Sequence, residues 1–494
     1  MRFAHLLLAS VVPLACASVA HCYIPNQRWT STASGSTGTV GDPVTLTWSI
    51  VPNGTNIPGE GTSILITFLD GTFGAGPGGS NLTQRPWFSI FSDSFNRWSQ
   101  LGGITFIYES HDNGSQMQSS SGILGTRGDI RIGGASIDGD GGTLAYTWFP
   151  NSGDIVIDTG EADYFHPTPY TTLPFRNTLM HEIGHAFGLD HVESNTNNFL
   201  LEPFISTAFD GPQLDDIRGI QGQYGDAREK SNGGLGNDIA ANATGLGALV
   251  AGSNLQIGGA AAPDQVVSSN ETDFVSIANS TDTDFYSFTI ASPVTLAATL
   301  TPLGGVFNQA GQGQVQSSFD ANARNDLSLT VFASNGTTQL GFANSTAAGQ
   351  VEALAGINLT SAGQYFARIT GADANVQLYQ LQLSATALVA GDYNRNGVVD
   401  AADYIIWRNT LNQSGANLPA DGSGNSLVDA NDYTIWRSNF GKTATSGSGG
   451  ELATGGVPEP GGHLLLLIAA MTTAQRRNRG SHGASKKHLI EVVK

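Results

Sequence analysis

Cysteine is nearly absent: the 494 residues hold two, Cys16 and Cys22, both close to the start of the chain. A bridge between them would brace almost none of the remaining length, so disulfides do not hold this protein together. Charge is sparse as well, at 13% of residues, and basic residues are the scarcer kind, 22 against 41 acidic, for a formal net charge of -19. Nucleic acid and anionic membrane both reward clustered Lys and Arg, so neither is expected as a partner beyond transient membrane contact. Scattered acids suit calcium instead. The 63 glycines and the low charge exclude a coiled coil and favour a β-rich, turn-rich chain. Its length exceeds what one core serves, and about three domains of roughly 100 to 200 residues each are expected.

Long hydrophobic runs are also missing, and the two short ones sit at the ends. Residues 1–20 join a basic Arg2, an apolar stretch from Leu6 to Leu14 and small residues at Ser18 and Ala20. That order predicts a secretory signal cleaved after Ala20, leaving Cys22 alone in the mature chain. Pro13 and Leu14 fit poorly before a lipid-modified Cys16. At the far end Leu464 to Ala474 is only moderately apolar and falls short of the roughly 20 residues of a stable membrane helix. Val457-Pro458-Glu459-Pro460, this run, and then Arg476, Arg477 and Arg479 resemble the bacterial Pro-Glu-Pro sorting signal over 457–479, which implies surface sorting. A tail, 480–494, continues past it.

Between these ends, 21–226 alternates short β-like runs (Val44 to Ile50, Ser63 to Leu69, Ile104 to Tyr108, Asp129 to Ile132, Asp154 to Ile157) with two helical stretches. The first, Trp87 to Leu101, carries Phe88, Ile90, Phe91, Phe95 and Trp98 at helical spacing, a core stripe. Gly, Ala and Asn dominate 227–262, which reads as a linker. Period-two runs over 263–388 predict an antiparallel β-sandwich. Asp282 and Asp284 ahead of Phe285-Tyr286-Ser287-Phe288, with Asp326-Leu327-Ser328-Leu329 and Gly363-Gln364-Tyr365-Phe366, resemble the sandwich found C-terminally in many secreted bacterial peptidases. That pattern names an accessory domain and no chemistry.

The chemistry lies in His181-Glu182-Ile183-Gly184-His185-Ala186-Phe187-Gly188-Leu189-Asp190-His191. His181 and His185, four apart on a helix, share one face, so both imidazoles reach a single zinc, with Glu182 beside the water it activates. Gly188 lets the chain leave the helix in a left-handed conformation and bring back His191 as third ligand. Three protein ligands leave the fourth position open, as in a catalytic site.

This motif is that of the metzincin metallopeptidases, and its flanks resemble the matrixins, the matrix-metalloproteinase-like branch. Gly128-Asp129-Ile130-Arg131-Ile132 resembles the central strand of that domain, and Leu214-Asp215-Asp216-Ile217-Arg218-Gly219-Ile220 its closing helix. Asp138-Gly139-Asp140-Gly141-Gly142-Thr143-Leu144-Ala145 resembles its calcium loop and substrate-facing edge strand. The resemblance implies a calcium held by Asp138, Asp158 and Glu161 with the backbone carbonyls of Gly139, Gly141 and Thr143. It implies that peptide lies beside Leu144 and Ala145, and that Pro203, Phe204 and Ile205 wall the specificity pocket. Tyr146 and Val156 stand where the animal enzymes place histidines, so the expectation is one zinc, not two. Leu201 stands where the family has the methionine beneath the metal, an apolar swap that usually costs less than about 1.5 kcal/mol. No Pro-Arg-Cys-Gly propeptide motif is present; Cys22 reads as a spare cysteine, with a thiolate bound to the zinc as the alternative.

A second pattern repeats over 391–442. Asp392, Asn394, Asn396, Val398, Asp400 and Asp403 occupy ligand positions of a twelve-residue calcium loop, with Gly397 at the sharp turn. The set recurs 29 residues on as Asp421, Ser423, Asn425, Leu427, Asp429 and Asp432. Each loop runs into a similar helix, and the pair resembles a type I dockerin, implying a cohesin partner; a calcium-stiffened spacer remains the alternative. A second linker, 443–456, follows.

The expectation is therefore a multidomain chain: an α+β metzincin catalytic domain, an all-β sandwich and a small α calcium-loop domain. Its function would be secreted endopeptidase action on extracellular protein or peptide, through one zinc and with Glu182 as general base, beside about three structural calcium ions. The competing reading is a non-catalytic, calcium-dependent adhesion or scaffold protein with a relic zinc site.

Overall fold

Apolar residues spaced for strands and helices segregate in this chain, and the computed structural model shows where each set is buried. It describes residues 23–25, 27–118, 121–166, 171–259, 266–415 and 418–443. The signal, both cysteines, the sorting motif, the tail and most of the second linker lie outside the described residues. Among the described residues no helix is long and apolar enough to cross a membrane.

The first domain is built on five strands: β1 (Val44–Ile50), β2 (Ile104–Tyr108), β3 (Ile130–Ala135), β4 (Ala145–Thr147) and β5 (Ile155–Asp158). Their order is β2-β1-β3-β5-β4, all parallel except β4, which runs antiparallel along one edge. Helices α1 (Leu65–Phe73), α2 (Phe88–Leu101), α3 (Leu173–Phe187) and α4 (Leu214–Tyr224) complete it. The stripe on α2 is core as expected: Ile90, Phe91, Phe95 and Trp98 are buried, and Phe95 stacks on Trp48 of β1 at 4.5 Å. Trp98 donates its indole N–H to the Met180 carbonyl at 2.9 Å, which ties α2 to α3.

Two expectations change here. Ser63 to Leu69 is not a strand, because α1 begins at Leu65. Leu65 and Leu69, one helical turn apart, are fully buried while Ile64 is exposed, so the buried set follows helical and not alternating spacing. The stretch 227–262 is not merely a linker, since it supplies the first strand of each sandwich sheet.

Those sheets follow a short strand, β6 (Val192–Ser194). One contains β7 (Thr244–Ala248), β10 (Thr283–Ile290), β17 (Gly363–Gly371), β14 (Leu327–Phe332) and β15 (Gln339–Ala343), in that order. The other contains β8 (Asn254–Ile257), β18 (Gln377–Ala387), β11 (Val294–Leu303) and β16 (Glu352–Leu359), with β9 (Val275–Ile277) also pairing β18. Alternating residues of β11 and β18, among them Leu296, Leu300, Leu381 and Leu383, fill the space between the sheets. A third set joins the two domains: β12 (Val306–Gly311) and β13 (Ser317–Asp320) form a hairpin whose first strand pairs with β6.

Past the sandwich, α5 (Ala401–Thr410) and α6 (Ala430–Asn439) begin with matching caps. Asp400 and Asp429 cap the helices, with Asp403 and Asp432 completing each capping box. Trp407 donates to the Asp429 carbonyl and Trp436 to the Asp400 carbonyl, each at 2.8 Å, so the two loop-helix units brace one another symmetrically.

Candidate active site

Helix α3 carries the first two histidines, and its ending delivers the third. Gly188 takes a left-handed conformation (φ 113°), and its N–H caps the carbonyls of Gly184 and His185. A Cβ there would collide with the Gln27 carbonyl, so the turn requires glycine on both counts. The chain then pairs Leu189–Asp190 with Ile24–Pro25 and returns His191 toward the helix.

The three Nε2 atoms converge. His181 and His185 lie 3.0 Å apart, and each lies 3.1 Å from His191. Tetrahedral zinc with bonds of about 2.0–2.1 Å needs nitrogens roughly 3.3 Å apart, close to this spacing. Each Nδ1 faces an oxygen: the Leu200 carbonyl at 2.7 Å for His181, the Leu189 carbonyl at 2.6 Å for His185, and Gln312 Oε1 at 2.9 Å for His191. These acceptors hold the ring proton on Nδ1 and turn the Nε2 lone pairs toward a common centre. Burial, reinforced by the neighbouring imidazoles, drives His181 well below its ordinary pKa and His185 down to about 4. Three imidazoles whose Nδ1 atoms face acceptors and whose Nε2 atoms converge are the donor set that a divalent metal requires, so the residues present fit zinc.

Glu182 is buried beside them, and Thr147 of β4 donates its hydroxyl to Oε2 at 2.6 Å. Burial pushes this carboxyl up to about 7, against the pull of that hydrogen bond. A cleft of about 450 Å³ opens over the group, lined by Leu144 and Ala145 on one side and by Pro203, Phe204 and Ile205 on the other. Phe204 is 85% exposed at its rim. Thr147 and Gln312 were not legible in the motif. Leu201 is buried against Gly184, where an added Cβ would lie 3.0 Å from its side chain. Tyr146 and Val156 face one another across β4 and β5 and join an apolar cluster with Val51, Ile57 and Met117.

The expected calcium residues hold ordered loops. Asp138 accepts from the Thr143 N–H and hydroxyl, Glu161 Oε1 from the Gly141 and Gly142 N–H groups, and Asp158 Oδ1 from Ile137 and Gly160. In the two later loops Asp392 and Asp421 accept from backbone N–H groups at the same relative positions, as do Asp403 and Asp432. None of these carboxylates lies in a close cluster of three carboxylate or imidazole groups among the described residues. Apart from the histidines, the other such group is Glu229, Asp282 and Asp284, where the end of the first domain meets the sandwich. Burial first, and then repulsion among these and Asp226, raises all three carboxyl pKa values. The sequence pattern gave Asp282 and Asp284 no such role.

Three convergent imidazoles on a helix and its return turn, with a buried glutamate and an edge strand, define a metallopeptidase type of centre. Residues 73–225 match the matrixin family. Among curated relatives, metalloendoproteinase 2-MMP of Arabidopsis thaliana is 32% identical over 146 residues, covering 28% of this chain and 36% of that protein. Matrix metalloproteinase-25 of Mus musculus is 31% identical, covering 31% and 25%. The hatching enzyme of Paracentrotus lividus is 30% identical, covering 33% and 26%. The matched part thus spans about a third or less of each relative. The pre-peptidase C-terminal domain of a Bacillus anthracis collagenase aligns at 13% identity and a TM-score of 0.16, covering 29% of this chain and 93% of that one, a likeness too distant to interpret.

Proposed function

We propose that the chain is a secreted, zinc-dependent endopeptidase that cleaves extracellular protein or peptide, with His181, His185 and His191 holding one zinc and Glu182 as general base. The observation that carries this reading is the convergence of three Nε2 atoms within 3.1 Å of one another beside a buried glutamate. When bound, zinc supplies a Lewis acid that polarises the scissile carbonyl and acidifies water. Glu182 then takes the water proton at Oε1, because Thr147 holds Oε2, and returns it to the leaving amine. Substrate adds as a strand along the open edge of β4, beside Leu144 and Ala145, so that backbone hydrogen bonds hold it. Pro203, Phe204 and Ile205 accept a side chain across the cleft.

Calcium at Asp138, Asp158 and Glu161 and in the two loops of 391–442 stiffens the modules around this site, and the paired helices offer a cohesin-type partner a docking face. The test is cleavage of denatured protein by the full chain and by Glu182→Ala, with zinc content measured in both. The variant is expected to keep its zinc and lose activity by at least about 100-fold. Equal cleavage by both would refute Glu182 as the base, and none by the zinc-loaded wild type would refute the enzyme and favour a scaffold.

A further inference from the structure

His181 and His185 are oriented by carbonyls of the first domain itself, whereas His191 is oriented from elsewhere. Its Nδ1 faces Gln312 Oε1 at 2.9 Å, and Gln312 sits at the tip of the β12–β13 hairpin, 121 residues away in the sandwich. We propose that Gln312 is a positioning residue for the zinc ligand His191, so that the accessory sandwich completes the metal centre. This rests on the zinc reading above.

The hairpin is locked in register. Val192, Glu193 and Ser194 pair with Gly311, Ala310 and Gln309, directly after the third histidine. Two further bonds extend the ladder, from the Asn195 N–H to the Asn308 carbonyl at 3.1 Å and from the Asn308 N–H to Asn195 Oδ1 at 2.8 Å. At the tip the Gly313 N–H reaches Glu193 Oε1 at 3.1 Å. Beneath it Phe307 packs edge-on against Phe199 at 5.0 Å. The ladder therefore fixes the position of the backbone that carries Gln312, and an amide oxygen facing Nδ1 favours the tautomer that leaves the Nε2 lone pair free. Without that acceptor the imidazole can rotate or take the other tautomer, and either change removes a zinc donor.

The test uses the full chain as wild type, Gln312→Ala and Gln312→Glu, with His191→Ala as the reference for a lost ligand. Zinc affinity is read by competition with a chromophoric chelator, and site geometry by the visible spectrum of the cobalt-substituted protein. Gln312→Ala is expected to bind zinc about 10-fold more weakly, at the lower end for such partners because water competes at this exposed tip, and to shift the cobalt bands. Its metal-free melting midpoint should match the wild type, and Gln312→Glu, which keeps an acceptor, should restore both affinity and spectrum. Unchanged affinity and spectrum in Gln312→Ala, while wild type binds one zinc and His191→Ala loses it, overturn the role of Gln312 alone. So does a weakening that parallels a lower metal-free midpoint and is not repaired by Glu. A wild type that binds no zinc overturns the zinc reading and this role together.

Discussion

Thr147 donates its hydroxyl to Glu182 Oε2 at 2.6 Å, joining the edge strand that faces the cleft to the buried carboxylate. The bond fixes one oxygen of the proposed base and leaves the other for the proton it must move. Thr147→Val keeps the shape and removes the donor. We expect kcat to fall about tenfold, corresponding to about 1.4 kcal/mol of barrier, with KM changed by less than about twofold. Steady-state kinetics on a peptide substrate check this; an unchanged kcat contradicts it.

Leu201 is buried against Gly184, which lies between His181 and His185 on helix α3. Cutting it back to alanine leaves a cavity beside helix α3 and should destabilise the protein by about 2–5 kcal/mol. Leu201→Met conserves volume and should cost less than about 1.5 kcal/mol while keeping zinc affinity within a few-fold. Denaturant titration and chelator competition measure the two effects. A tolerated alanine, or a methionine that gains zinc affinity by orders of magnitude, would contradict this packing role of Leu201.

Asp216 holds the backbone that carries Leu201. Its carboxylate accepts the N–H groups of Leu200, Leu201 and Gln213, at 2.7, 3.1 and 2.8 Å. Burial nevertheless pushes it from 3.8 up to about 7. A raised carboxyl means that the folded chain keeps a proton which the unfolded chain releases. Its stabilising contribution is thus complete below about pH 4 and is lost as pH rises through about 7. The melting midpoint of wild type relative to Asp216→Asn should fall over that window. Midpoints recorded from pH 4 to 8 decide it, and a pH-independent difference contradicts the assignment.

Calcium should raise stability without entering the reaction. With zinc supplied throughout, a calcium-selective chelator should lower the melting midpoint by several degrees, and Asp138→Ala or Asp392→Ala should each lessen that drop. A midpoint that ignores calcium in the wild type removes the calcium assignment.

Much of this site was legible because its residues are close in sequence. The spacing of His181, Glu182, His185, Gly188 and His191 encodes a helix, its left-handed end and a converging third ring within one short stretch. Leu144 and Ala145 at the start of the edge strand, and Pro203 to Ile205 across the cleft, also line the pocket together. Other features depend on chain segments that only folding brings together. Thr147 is 35 residues from Glu182, and Gln312 is 121 from His191, with no local pattern marking either pair. Glu229 meets Asp282 and Asp284 in the same way. Ser63 to Leu69 failed for a different reason: a run of mixed apolar and β-branched residues satisfies either period, and burial of Leu65 and Leu69 chose the helix. In 244–257 the glycine-rich composition hid two strands whose ladders are fixed by β10 and β18.

The most direct test of the central claim is a zinc titration of metal-free, full-length protein, with cleavage of denatured protein followed at each addition. Activity should rise linearly and reach its plateau at one equivalent, and His181→Ala should stay inactive throughout. Protein that remains inactive at every zinc level, or that cleaves equally well without zinc, would contradict it.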